Sequence, residues 1–189
     1  MATKFTETQD YKFGRMAEAR IARWLKSRGN IILPIYEIEI ESGKGPRVFT
    51  ALQELVAPDL LVFGKERIYW AEVKRKAVFT WHRNSQRWTT GIDLRHWLDY
   101  LKVREVTGQE LWLFFLHECE VPDLRDQNYG CPVKCPVGLF TNSVDYLMER
   151  ENHRAEARGN GTGWGASGMV YWARESLKQF ATIEEMRNF

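Results

Sequence analysis

Pro58-Asp59-Leu60-Leu61-Val62-Phe63-Gly64-Lys65-Glu66-Arg67-Ile68-Tyr69-Trp70-Ala71-Glu72-Val73-Lys74 is the stretch from which the fold is read. Asp59 to Phe63 is a short apolar run after a proline, the pattern of a buried strand. Gly64-Lys65-Glu66 is a turn signal, and Arg67 to Lys74 reads as the second arm of a hairpin. In such a hairpin Asp59 and Glu72 lie near the same end. Glu72 and Lys74 are two residues apart on a strand, so both point to one face. Two carboxylates and an ammonium therefore converge at one spot. Hard divalent cations such as Mg²⁺ take oxygen ligands, often one or two carboxylates with several waters retained. An ion held there polarises a phosphoryl oxygen and lowers the pKa of a bound water. A lysine beside it orients the water or offsets charge that develops in the transition state.

Upstream, residues 8–29 read as a helix, with Phe13, Ala17, Ile21, Trp24 and Leu25 at spacings of three and four. Thr6 or Thr8 suits its start, and Gly29 stands where a C-terminal cap belongs. Glu18 lies along the edge of that apolar stripe, where a carboxylate needs a partner or a metal. Ile31 to Glu41 reads as a strand, 42–46 as a Gly-rich break, and 47–57 as ambiguous or a short helical turn. Downstream, 77–90 reads as an irregular loop or a hairpin. Ile92 to Val106 is helical, with Leu94, Trp97, Leu98, Leu101 and Val106 on one side, and Glu110 to His117 is an apolar strand. The order is helix, strand, strand, strand, helix, strand, an α/β layer fold with helices covering a mixed sheet. Beyond residue 118 the expectation is a loop to 138, a short helix near 143–155, a glycine-rich loop from Gly159 to Gly168, a strand from Met169 to Trp172 and a closing helix over 174–187. One domain spans 1–189, with its core at 8–117 and a C-terminal α/β extension at 118–189.

An apolar content of 44% with 28% charged residues excludes a disordered or low-complexity chain. The longest apolar run, Leu111 to Leu116, is far short of the roughly 20 residues of a membrane span. With no apolar signal core at the N-terminus and an odd number of cysteines, a cytoplasmic, reducing location is expected. The net charge of +2 is unevenly spread: residues 1–30 carry +4, 31–64 carry −3, 65–104 carry +6 and 105–189 carry −5. Alternation of this kind can fold into one positive and one negative face.

The set Glu18, Pro58-Asp59 and Glu72-Val73-Lys74 resembles the PD-(D/E)XK nuclease superfamily, which includes restriction endonucleases, archaeal-type Holliday junction resolvases and RecB-like nucleases. The resemblance covers residues 8–117 and implies a restriction-endonuclease-like sheet. It implies metal-dependent hydrolysis of phosphodiester bonds in DNA, as a Mg²⁺-dependent endonuclease in which Mn²⁺ substitutes. Asp59 and Glu72 would bind the ion, the Val73 carbonyl would add a ligand, and Glu18 would bind directly or through water. Lys74 would position or activate the attacking water, serving chemistry more than folding. RecB-like members carry Gln-x-x-x-Tyr on the following helix. Here the helix has His96-x-x-x-Tyr100, with His in place of Gln, so the branch stays open between resolvase and RecB-like forms.

Phosphate contacts are expected from Arg75 and Lys76 at the end of the catalytic strand. Arg83 and Arg87 in the following loop, Lys44 and Arg47 in the Gly-rich break, and Lys12, Arg15 and Arg20 on the first helix are further candidates. Phe79, Trp81 and Trp88 are either base-stacking or core residues. His117, Cys119, Cys131 and Cys135 match no established zinc spacing, and a cluster needs four thiolates, so free thiols are expected. The glycine-rich loop lacks Gly-Lys-Ser/Thr, so no nucleotide cofactor is expected. DNA is the expected partner, a membrane is not, and a homodimer is compatible with the pattern. The competing readings are a catalytically silent nuclease fold that binds DNA or assembles complexes, and a structured-RNA endonuclease.

Overall fold

The computed structural model describes residues 9–37, 45–157 and 168–189. Its centre is a six-stranded mixed sheet of β1 (Ile31–Pro34), β4 (Leu60–Phe63), β5 (Ile68–Lys76), β8 (Glu110–His117), β9 (Gly138–Ser143) and β12 (Lys178–Ala181), side by side in that order. β5 and β8 run parallel, and the other neighbours are antiparallel. Between β1 and β4 the chain makes a small hairpin, β2 (Arg47–Phe49) with β3 (Glu54–Val56). A second, four-stranded sheet joins β6 (Thr80–His82) and β7 (Arg87–Asp93) to β10 (Glu151–Ala155) and β11 (Met169–Ala173), in the order β10-β11-β7-β6. The helices are α1 (Gln9–Ser27), α2 (Leu94–Thr107), α3 (Leu124–Gln127), α4 (Val144–Met148) and α5 (Ile183–Arg187).

Strand pleating sorts β5 onto two faces. Ala71 and Val73 join the core under α1, with Ala17, Ile21, Trp24 and Leu25. Glu72, Lys74 and Lys76 alternate with them onto the other face. That face is covered by α2 and the second sheet, through Trp97, Tyr100, Val103, Ile92, Val170 and Trp172 packed against Leu111, Leu113 and Phe115. Glu72 and Lys74 thus lie on the side of the main sheet that faces α2.

α1 ends at Gly29, whose φ of 86° lets the chain turn into β1. α2 starts at Asp93, whose side chain accepts from the Arg95 N–H, and stops at Gly108 with φ 65°. Its buried residues are Trp97, Tyr100 and Val103, whereas Leu98 and Val106 are about half exposed. Of the expected stripe, Trp97 is buried and Leu94 and Leu101 pack against the core, while Leu98 and Val106 are corrected to the outer side. The helix turns the hydroxyl-bearing Tyr100 to the sheet because a polar partner waits there, and leaves the two aliphatic residues outside.

Other expectations are corrected. The ambiguous stretch 47–57 is the β2–β3 hairpin. The first strand stops at Pro34 and passes into a 3-10 turn at Ile35–Glu37. The presumed helix of 143–155 is α4 followed by strand β10, and the closing helix of 174–187 is a 3-10 turn, β12 and the short α5. Short polar strands such as Glu151–Ala155 have no apolar alternation and are defined only by their partners. Residues 118–189 supply two strands to each of the larger sheets. The caps at Thr6 and Thr8 and most of the glycine-rich loop lie outside the described residues.

Candidate active site

β4 pairs with β5 only as far as Leu60 opposite Ala71, while β5 continues to Lys76. Among the described residues, that side of β5 has no neighbouring strand past Ala71. Asp59 fills the gap: its Oδ2 accepts from the Val73 N–H at 2.8 Å, replacing a ladder bond with a side-chain one. The backbone of Asp59 is fixed in turn by the Tyr36 N–H, which donates to its carbonyl at 3.0 Å. This gap is the notch in which the polar residues gather.

Glu72 is 1% exposed. One of its oxygens pairs with the Lys74 ammonium, and its Oε2 is buried with no hydrogen-bond partner. The hydroxyl of the buried Tyr100 also bonds the Glu72 carboxylate. Glu18 reaches the group from α1, with Arg15 donating to its Oε2 at 3.2 Å. Burial raises the Asp59 carboxyl well above the usual carboxylate range, and the charges of Glu72 and Glu18 add to the rise. Burial also raises Glu18, against the pull of Arg15 and with a further push from Glu72. Burial alone would lower Lys74, but Glu72, Asp59 and Glu18 outweigh it and hold the ammonium above the usual lysine value. Three carboxylates thus crowd around one lysine.

An orphaned carboxylate oxygen and an excess of negative charge are what a divalent cation would relieve, so the donor set fits such an ion. Among the described residues no three His, Cys, Asp or Glu side chains stand together as a metal group. The fit is therefore to an ion held by two carboxylates and completed by carbonyl or water, the habit of Mg²⁺.

His96 and Tyr100 also belong to this neighbourhood. Burial lowers the His96 imidazole and the Lys74 charge lowers it further, while burial and the Glu72 charge raise the Tyr100 phenol well above its usual value. Their rings lie 6.2 Å apart on α2.

No protein-family model matches the chain, and neither does any curated protein. One solved structure similar to it is Hjc of Archaeoglobus fulgidus, a Holliday junction resolvase from an archaeal hyperthermophile. The TM-score is 0.46 at 8% identity, over 86% of this chain and 90% of that one.

The basic candidates separate into groups. Lys12 is exposed on α1. Arg15 is engaged: besides Glu18 it donates to the Tyr36 carbonyl at 2.5 Å and lies over the Tyr36 ring. Arg75 points to the α1 face, opposite Lys74, where Glu118 accepts from it at 2.5 Å and from Arg20 at 2.8 Å. Its guanidinium lies over the Phe13 ring, 4.6 Å from the centroid. Lys76 shares the Lys74 face and sits beside the buried His117, and burial lowers it to about 7. Arg83 and Arg87 are exposed at the β6–β7 turn, with Arg83 over the Tyr129 ring at 4.0 Å. Arg47 is half-buried in β2, and Lys44 lies outside the described residues.

Phe79 and Trp88 are core residues, and Trp81 packs edge-on against Trp88 at 5.1 Å. The cysteines carry free thiols, and the buried Cys135 sulfur accepts from the Phe79 N–H at 3.2 Å. His117 stacks on Phe79 at 3.6 Å, and burial, aided by the charge of Lys76, lowers it to about 3. Glu118, which ties Arg20 and Arg75 together, was missed by the sequence reading. Nothing local marks a glutamate 43 residues from its arginine.

No helix among the described residues is long and apolar enough to cross a membrane.

Proposed function

We propose that this chain is a metal-dependent nuclease of the PD-(D/E)XK type that hydrolyses phosphodiester bonds in DNA. The observation that carries the reading is the notch beside β5, where Asp59, Glu72, Lys74 and Glu18 meet and Glu72 keeps a buried, unpartnered oxygen. Asp59 and Glu72 would hold Mg²⁺ or Mn²⁺, with Glu18 in direct or water-bridged contact. The Val73 carbonyl is a candidate ligand, since its N–H already faces Asp59 and the two groups of one strand residue point the same way. When bound there, the ion would supply Lewis-acid polarisation of the phosphate and a water of lowered pKa.

The chain's own residues then have distinct tasks. Lys74 is held protonated, so it acts as a fixed cation that offsets negative charge on the phosphoryl oxygens. The Val73 N–H fixes the orientation of Asp59, and the Tyr100 hydroxyl fixes that of Glu72. His96, whose imidazole is held below its ordinary pKa by burial and the Lys74 charge, would hydrogen-bond a phosphate oxygen or a water. Arg83, Arg87 and Lys12 are exposed cations available to flanking phosphates, a sequence-independent mode of contact.

The test is a panel of single-stranded, duplex, flapped and four-way-junction DNA with structured RNA, each with Mg²⁺, Mn²⁺ or EDTA. Cleavage of a DNA substrate that disappears in EDTA is the expected result. Cleavage of RNA alone would move the substrate class. Binding without cleavage under every condition would replace the enzyme with a silent DNA-binding fold.

A further inference from the structure

The outer face of the second sheet carries a column of three rings. At Gly91 of β7 a Cβ would stand 2.7 Å from Tyr171 Cδ1, so the phenol of this β11 residue lies against bare backbone. His153 of β10 stacks on Tyr171 with centroids 4.4 Å apart and planes within 3°. His82 of β6 stacks on His153 at 3.9 Å and 10°. β6 and β10 are opposite edges of the same four-stranded sheet. Their side chains meet only because the sheet curls until its edges face each other.

Asn152 sits at the closure. Its Nδ2 lies 3.4 Å from His82 Nδ1, 3.3 Å from His153 Nδ1 and 3.2 Å from Ser85 Oγ. Ser85 Oγ lies 2.8 Å from His82 Nδ1. An amide nitrogen donates two hydrogen bonds, so Nδ2 serves two of these three neighbours at once, and a ring Nδ1 that receives one of them is an unprotonated acceptor.

We propose that His82, Asn152 and His153 form an acid-sensitive latch that joins the two edges of the curled sheet and holds the turn bearing Arg83 and Arg87. Protonation at either Nδ1 replaces an acceptor with a donor facing the Asn152 amide. Protonation of both rings sets two cations face to face. The surrounding charges do not relieve this. Arg87 lies across the β6–β7 ladder from His82, and Arg83 follows it in the turn. Glu151 of β10 is engaged by Arg154 at 2.7 Å, and Tyr171 of β11 offers a phenol ring. Burial, and next the charge of His82, lowers His153 to about 4 from its ordinary 6.5. A group lowered in the closed state binds fewer protons there than in the open state. The latch is therefore at full strength above about 6.5 and weakens as pH falls from there toward 4. This inference stands apart from the nuclease reading.

Hydrogen exchange on the full chain tests it at about pH 7.5 and about pH 5, with rates normalised to intrinsic exchange. Opening of residues 80–87 and 151–155 should increase about tenfold at the lower pH, a discount for partial ring exposure from the roughly 30-fold that the full shift allows. Protection of β8 should not change. A His153→Phe variant keeps a stacking ring without a titrating nitrogen, so its response to pH should be much smaller. Equal protection of the wild-type segments at both pH values would overturn the latch. So would a His153→Phe protein that opens at low pH as the wild type does.

Discussion

Replacing Lys74 by methionine probes both the fold and the chemistry of the notch. Methionine keeps most of the side-chain volume and removes the charge. Glu72 is 1% exposed and then loses its ion-pair partner, with Asp59 and Glu18 still nearby. Breaking a buried pair by removing one partner costs about 3–5 kcal/mol. The Lys74 side chain is 26% exposed, and screening by solvent brings the cost below that range, to about 2–3 kcal/mol. Urea unfolding in EDTA measures it. Adding Glu72→Gln to Lys74→Met removes the stranded charge, so the double variant should recover most of the loss. Mg²⁺ should restore part of the stability of Lys74→Met, because a cation replaces the missing countercharge. Cleavage by Lys74→Met should fall about 100-fold or more. A Lys74→Met protein as stable in EDTA as the wild type would refute the proposed electrostatics. The sequence suggested that Lys74 serves chemistry more than folding; its pairing with a buried glutamate ties it to the fold as well.

Three further outcomes are expected. Tyr100→Phe removes a buried hydrogen bond to a charged group, so stability should drop by about 1.5–3 kcal/mol and cleavage should weaken as Glu72 loses its orientation, measured by urea unfolding and single-turnover kinetics. Asp59 has a raised pKa in the folded, metal-free state. Its contribution to stability is therefore present below the usual carboxylate pKa and is lost as pH rises through the folded value. Compared with Asp59→Asn, the wild type in EDTA should lose stability as pH rises over that window, and denaturation at several pH values will show whether it does. Arg83→Ala with Arg87→Ala should weaken binding to all DNA sequences alike and flatten the salt dependence; an unchanged salt slope in a fluorescence titration would remove this turn from the binding surface.

The hairpin that brings Asp59 near Glu72 was legible because its signals are local: a proline, a glycine turn and two apolar arms within 17 residues. The facing of Glu72 and Lys74 follows from the period of a strand. The notch itself was not legible. It depends on β4 ending four residues into the longer β5, and no composition cue marks where pairing stops. The second sheet was hidden for a related reason. β7 pairs with β11 some 80 residues later, and β10 has an almost wholly polar sequence, so neither is defined without its partner. His96 and Tyr100 were visible as a pair one turn apart. The bond from Tyr100 to Glu72 needed the rotation of α2, which apolar periodicity placed only in part, by including Leu98 and Val106. Arg75 and Lys76 looked equivalent as neighbouring cations, yet strand alternation sends one to Glu118 and the other to the Lys74 face.

The central claim is that Asp59 and Glu72 hold a divalent cation. Calorimetric titration of Mn²⁺ into the wild type and into Glu72→Gln, with both proteins shown to be folded, addresses it most directly. The account predicts a saturable site in the wild type that is lost or greatly weakened in Glu72→Gln. Mn²⁺ binding of equal affinity in the two proteins, or no binding to the wild type, would contradict it.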